Sequence, residues 1–254
     1  MTDLVPLDRP SPNTDARDGD IDTLILHYTG MQSGAAAIER LCDPEAKVSA
    51  HYVIEEDGTL HRLVREEARA WHAGVSMWDG RPLLNDCSIG IELVNPGHEW
   101  GYRDFPEAQM QVLETLAEGI LKRWSIPPER VLGHSDIAPR RKEDPGERFD
   151  WPRLARLGLA IWPEAADEHA PGRFLDMEGV TALGRAMAAI GYDLEDFRLA
   201  LTAFRRRFRP DALEGVPVMR DYLIAREVAA RYPATTGPVE PVVILDEFIS
   251  EDGI

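Results

Sequence analysis

The stretch DTLILHYTG (22–30) decides the fold. Leu24, Ile25 and Leu26 form an unbroken apolar run that closes on His27, and Tyr-Thr-Gly ends it. A short apolar run bounded by turn residues reads as a buried strand. Working outward, IGIELV (89–94) is a second such run, stopped by Asn95-Pro96-Gly97. SAHYVIEEDGTLHRLV (49–64) gives two short strands around Asp57-Gly58, a hairpin signal. RVLGHS (130–135) reads as a further strand that ends in a histidine. Between these runs lie helical patterns: AAAIERLC (35–42), PEAQMQVLETLAEGILKRW (106–124) and WPRLARLG (151–158). In the second, Met110, Leu113, Leu116, Ile120 and Trp124 recur at helical spacing, and Pro106 sits in the first turn, where a missing N–H costs little. Strands interleaved with helices predict an α/β unit: a mixed central sheet flanked by helices.

The rest of the chain divides by composition. Residues 1–20 are rich in Pro, Asp, Asn and Thr and read as an extended leader; 21–163 form the α/β unit, and 164–173 a linker. A small three-helix unit follows over 174–233, with patterns at 177–190, 195–208 and 217–231 marked by Leu183, Met187 and Ile190, by Phe197, Leu201 and Phe204, and by Met219, Leu223 and Val228. About 60 residues in three short helices have a thin core. The tail, 234–254, is acidic apart from VVIL (242–245).

Composition excludes several function classes. Of 254 residues, 44% are apolar and 29% charged, an ordinary globular balance. The net charge of −17 repels a phosphate backbone and an anionic membrane surface, so no nucleic-acid partner is expected. No run of about 18 uncharged apolar residues exists, so no membrane span is predicted. The first residues carry no basic n-region, no apolar h-region and no lipid-acceptor cysteine, which predicts a cytoplasmic location. Two cysteines, Cys42 and Cys87, are too few for a disulfide framework. No feature fixes an oligomeric state.

Three residues fall where α/β proteins build sites. His27 and His134 close predicted strands, and Asp144 sits in the turn RRKEDPGERF. Two imidazoles and a carboxylate can make a three-ligand zinc site with a fourth position open. Spacing alone does not separate that reading from satisfied polar residues at a sheet edge. His27 and His134 are more than a hundred residues apart, and no H-x-x-x-H pair appears. Glu92 reads by itself as a strand-end carboxylate, and Lys142, in Arg140-Arg141-Lys142, as part of a solvated basic loop. His51 and His72 either face the cleft or hold a ligand in place from behind. His61, His98 and His169 lie in polar contexts that read as surface. Trp71, Trp78 and Trp100 offer flat faces for sugar or for packing, with Trp71 favoured by its neighbour His72.

Several ordered motifs resemble a known family. LILHYTG around His27, AWHAG (70–74), NDCSIGIELVNPG around Glu92 and LGHSDIAPRRKEDPG around His134 are similar to the zinc-dependent peptidoglycan amidases of the AmiD and AmpD type, which share a fold with T7 lysozyme and the peptidoglycan recognition proteins. The resemblance covers about residues 20–163. GRAMAAIGYD and LTAFRRRFRP resemble the small helical peptidoglycan-binding domain of the AmiD type, the nearer of the two.

The resemblance implies one zinc ion held by His27, His134 and Asp144. Glu92 would be the general base toward the attacking water and then the acid toward the leaving amine; Lys142 would face the oxyanion. His51, Trp71 and His72 are candidates for substrate contact. The implied reaction is hydrolysis of the amide between N-acetylmuramic acid, in its 1,6-anhydro form, and L-alanine of a stem peptide, in wall recycling. AmiD-type enzymes are typically envelope lipoproteins and AmpD-type enzymes cytosolic. Two rivals are a muropeptide-binding sensor that does not cut and a lytic amidase acting on intact wall. The full set of His27, His134, Asp144, Glu92 and Lys142 argues against the first; acidity argues against the second.

Overall fold

The computed structural model describes residues 4–166 and 173–232. Most of the expected linker, His169, and the tail with VVIL (242–245) lie outside the described residues. The chain runs β1 (Leu7–Asp8), β2 (Thr14–Ala16), β3 (Thr23–Tyr28), α1 (Gly34–Cys42), β4 (Tyr52–Ile54), β5 (Leu60–Arg62), β6 (Ala68–Ala70), β7 (Met77–Trp78), β8 (Arg81–Pro82) and β9 (Ser88–Leu93). It continues through α2 (Gly97–Trp100), α3 (Glu107–Trp124), β10 (Val131–Gly133), α4 (His134–Ile137), α5 (Trp151–Arg156), α6 (Met177–Ile190), α7 (Phe197–Phe208) and α8 (Met219–Ala229).

The central sheet has the order β1-β5-β4-β9-β3-β10. Its pairings are parallel except β4 with β5, the hairpin around Asp57-Gly58. The expected mixed sheet flanked by helices is therefore present. Strand alternation sorts its side chains. Leu24 and Leu26 of β3 and Ile89, Ile91 and Leu93 of β9 enter one core with Met110, Leu113, Leu116 and Ile120 of α3. Complete burial of each such side chain contributes about 1.5–3 kcal/mol. The other parity belongs to the opposite face: Ile25 and His27 on β3, and Ser88, Gly90 and Glu92 on β9. That face carries the site.

Of the segment read as a leader, β1 pairs with β5 as an edge strand of the central sheet and β2 pairs with β6 in a separate two-stranded sheet. Arg17 donates to the carbonyls of Asn85, Asp86, Ala68 and Ser88, which ties this segment to the turn before β9. The three C-terminal helices form where the periodicity placed them, and α6 and α7 are N-capped by Asp176 and Asp196. Their core is shared. Leu183, Met187, Phe204 and Val228 pack in one cluster with Ile25, Trp78, Leu132 and Ile137 of the sheet unit. Sixty residues need not supply a whole core when a sheet face supplies half of it.

One sequence reading needs correction here. His134 does not end a strand; it is the first residue of α4, because β10 stops at Gly133 and Asp136 caps the turn by accepting the Gly133 N–H at 2.8 Å.

Candidate active site and metal centre

His27, from the C-terminal end of β3, His134, from the start of α4, and Asp144, from the turn after it, meet in one place. His27 Nδ1 lies 2.9 Å from His134 Nδ1, and both lie 3.0 Å from Asp144 Oδ2. All three side chains are nearly inaccessible. Burial, and then His134, push the His27 imidazole down to about 4, so it is neutral at ordinary pH. Burial alone would raise the Asp144 carboxyl, but the two imidazoles hold it well below the usual range. His134 Nε2–H donates to Ala73 O at 3.1 Å, which leaves its Nδ1 lone pair facing the group. Two ring nitrogens and a carboxylate oxygen thus converge on one point. A cation there would be held by all three, and a set of two nitrogens and one carboxylate oxygen fits zinc.

The outer contacts fix that orientation. His27 Nε2 lies 3.0 Å from His72 Nδ1; with Nδ1 given to a metal, His27 would carry its proton on Nε2 and donate it there. His72 then carries its own proton on Nε2, toward Ser88 Oγ at 3.3 Å, and Ser88 donates to Leu84 O. Burial, and then the neighbouring histidines, hold His72 neutral, as this chain of bonds requires. Asn85 Oδ1 accepts the N–H groups of His72 and Ala73 and so sets the turn that presents both. Gly90 makes room for the ring, since a Cβ there would collide with His72, and a Cβ at Gly133 would come 2.8 Å from Pro145 Cδ. Gly90→Ala is therefore expected to cost about 1–3 kcal/mol and to weaken metal binding by displacing His72. Thermal melting with and without zinc checks this; an unchanged metal-induced shift in melting would contradict the role given to His72.

Glu92 is paired in register with His27 across β9 and β3, so both side chains leave the same face. Its Oε2 is buried without a hydrogen-bond partner. Burial, and then Asp144, push its carboxyl well above the ordinary value, while Lys142 opposes the shift. A cavity of about 440 Å³ opens over the group, lined among others by Tyr28, Trp71, Glu92, His134, Lys142 and Asp144.

The structure gathers most of the expected residues and sets some apart. His72 and Trp71 line the cavity. Trp71 is also fixed by Nε1–H donation to Asp15 at 2.7 Å. His51 lines no part of it: the ring is fully buried, accepts from Gly90 N–H at 2.9 Å and reaches Ala68 O at 3.1 Å. Burial, then Arg17, lower it to about 3. Its place is behind His72, as support. Trp78 is buried in the core and offers no sugar face. His61, expected on the surface, is buried with Nε2 on Glu55 at 2.7 Å. His98 is on the surface as expected, bonded to Tyr28 and Glu147 at the cavity rim, and the Glu147 contact raises its imidazole. In sequence, Arg141 is only one member of a basic run. It donates to Ala73 O and Val75 O and holds the loop over His134.

Residues 17–147, just over half of the chain, match the protein family described as N-acetylmuramoyl-L-alanine amidase. The chain belongs to the N-acetylmuramoyl-L-alanine amidases. The matched span of this amidase contains His27, Glu92, His134, Lys142 and Asp144. The amidase is 36% identical to the N-acetylmuramoyl-L-alanine amidase AmiD of Escherichia coli, over 84% of this chain and 83% of that one. Its fold is similar to that of the E. coli AmiD complex with anhydro-N-acetylmuramic acid-L-Ala-D-γ-Glu-L-Lys, with a TM-score of 0.75 and 34% identity over 86% of this chain and 93% of that one. It is likewise similar to AmpDh3 of Pseudomonas aeruginosa in complex with an anhydromuramic pentapeptide, at a TM-score of 0.73 and 33% identity over 84% and 93%.

Proposed function

We propose that this amidase uses zinc, held by His27, His134 and Asp144, to cut the amide between anhydro-N-acetylmuramic acid and L-alanine in soluble wall fragments. The observation that carries the reading is the convergence of two imidazole nitrogens and a carboxylate oxygen beside a cavity lined by His134, Asp144, Glu92 and Lys142. Relatives crystallised with anhydromuramyl peptides support the substrate class. Bound there, zinc supplies Lewis acidity toward the scissile carbonyl and toward water.

The chain's own groups do the rest. Glu92 Oε2 has no partner to release, so it is free to take a proton from the attacking water and return it to the leaving nitrogen. The raised affinity of this carboxyl for a proton suits that exchange. Lys142 brings a positive side chain to the cavity wall, where negative charge builds on the carbonyl oxygen. Lys142→Ala is expected to lower kcat by about 10²–10³-fold with little change in KM; a pure KM effect would reassign Lys142 to ground-state binding. Trp71 and His98, on the cavity wall, are placed to contact sugar or peptide.

A soluble fragment fits the electrostatics better than intact wall does. A net charge of −17 opposes adsorption on a carboxylate-bearing sacculus. Among the described residues no helix is long and apolar enough to cross a membrane. We place the reaction in the cytoplasm, and fractionation of native cells tests that location. Chromatography of products tests the reaction. A synthetic anhydromuropeptide should give free stem peptide and anhydro-sugar, faster than intact sacculi release peptide. Preference for sacculi would favour the lytic reading, and no product from either would favour a sensor.

A further inference from the structure

The run Arg205-Arg206-Arg207 in α7 is buried, with exposures of 1%, 7% and 3%. Consecutive arginines on a helix ordinarily lie in solvent. Arg205 stays within the helical unit and pairs with Asp221 of α8 at 2.6 Å. The other two leave it. Arg207 Nη1 donates to Asp136 Oδ2 at 2.8 Å, and its guanidinium lies 4.2 Å over the Trp151 ring. Asp136, wholly buried, also accepts from Tyr192 O–H at 2.6 Å and from Gly133 N–H at 2.8 Å. Two of its three donors therefore come from the helical unit. Asp136 belongs to the single turn of helix that begins with His134. Arg206 reaches the second loop: it lies 3.3 Å from Glu143 and 3.6 Å from Glu147, on either side of Asp144.

We propose that Arg206 and Arg207 are positioning residues for the metal site: α7 holds the His134 turn and the Asp144 turn in the relation that zinc requires. The inference rests on the zinc reading given above. Its physical basis is that one turn of helix has almost no stability of its own, whereas metal ligands must be placed to within a few tenths of an ångström. A planar guanidinium bonded through Nη1 to a buried carboxylate and stacked on an indole defines a position that a solvated side chain cannot. The helical unit is then part of the catalytic apparatus and is needed even for a small soluble substrate, for which a wall anchor has no use.

The test uses the full chain. Zinc affinity is measured by competition with a chromophoric chelator, beside kcat, KM and the melting temperature, for Arg207→Met, Arg206→Gln and, as a matched loss of packing in the same unit, Val228→Ala. Arg207→Met is expected to weaken zinc binding by about 10–100-fold and to lower kcat, with KM nearly unchanged. Val228→Ala is expected to melt earlier with zinc affinity intact. Should Arg207→Met fail to fold, Arg207→Lys, which keeps the charge and loses the plane stacked on Trp151, carries the test with Arg206→Gln; each should weaken zinc by more than about twofold. Wild-type zinc affinity in the folded arginine variants overturns the proposal. So does an equal loss of affinity in Val228→Ala, or a loss confined to sacculus binding. A wild-type protein that takes up no zinc overturns the metal reading itself, and is told apart from these results by its own titration.

Discussion

Glutamine in place of Glu92 lowers kcat on a soluble anhydromuropeptide by about 10²–10⁴-fold, the range of a positioned acid–base group, while zinc uptake stays intact. The substitution keeps shape and polarity and removes only the proton exchange. Two further readouts follow from the raised carboxyl. The group must be ionised to act as a base, so wild-type activity falls as pH falls through its titration, and this acid limb should vanish in Glu92→Gln. Burial, and then Asp144, set the shift in the metal-free protein; a bound cation favours the ionised form, so the acid limb of the zinc-loaded enzyme should lie below the metal-free titration of Glu92. The second readout is stability. A carboxyl whose pKa is higher folded than unfolded contributes fully below the unfolded pKa and costs stability as pH rises through the folded one. Metal-free Glu92→Gln should therefore melt above metal-free wild type at neutral pH, with the gap closing in acid. Equal melting at both pH values would contradict the buried, unpartnered Glu92 Oε2 described here.

His134→Ala has the other large effect. It removes one of three converging donors and the bond to Ala73 O that orients the ring. Activity should fall by about 10³-fold or more, since Lewis-acid stabilisation worth several kcal/mol is lost with the metal. Zinc at about a thousandfold over its dissociation constant stabilises a folded protein by about 4 kcal/mol, which for a chain of this size is on the order of 10 °C in melting temperature. Wild type should show that shift on addition of zinc and His134→Ala should show almost none. A variant that still gains the full shift would place the metal elsewhere.

Much of this site is legible in the sequence, and the illegible parts have physical reasons. β3 carries the unbroken run Leu24-Ile25-Leu26 and β9 alternates apolar residues with Ser88, Gly90 and Glu92, so the sequence marks both strands and places His27 and Glu92 near their ends. The helical place of His134 is not legible, because α4 is four residues long, too short to show a period. His51 and His72 have similar local contexts, and only the packing over Gly90 separates the buried support from the cavity wall. The C-terminal helices announced their apolar faces through Leu183, Phe204 and Val228, but not that Ile25 and Ile137 would cover them. Buried ion pairs hide most completely. Arg207 and Asp136 stand 71 positions apart, and nothing local tells a buried arginine from a solvated one.

The most direct measurement is metal content and peptide release on one preparation, as isolated, after a chelator, and after zinc is returned. The account predicts close to one zinc per chain, free stem peptide from the anhydromuropeptide, loss of that release with the metal, and recovery with zinc. Undiminished release from chain freed of divalent metal would contradict it.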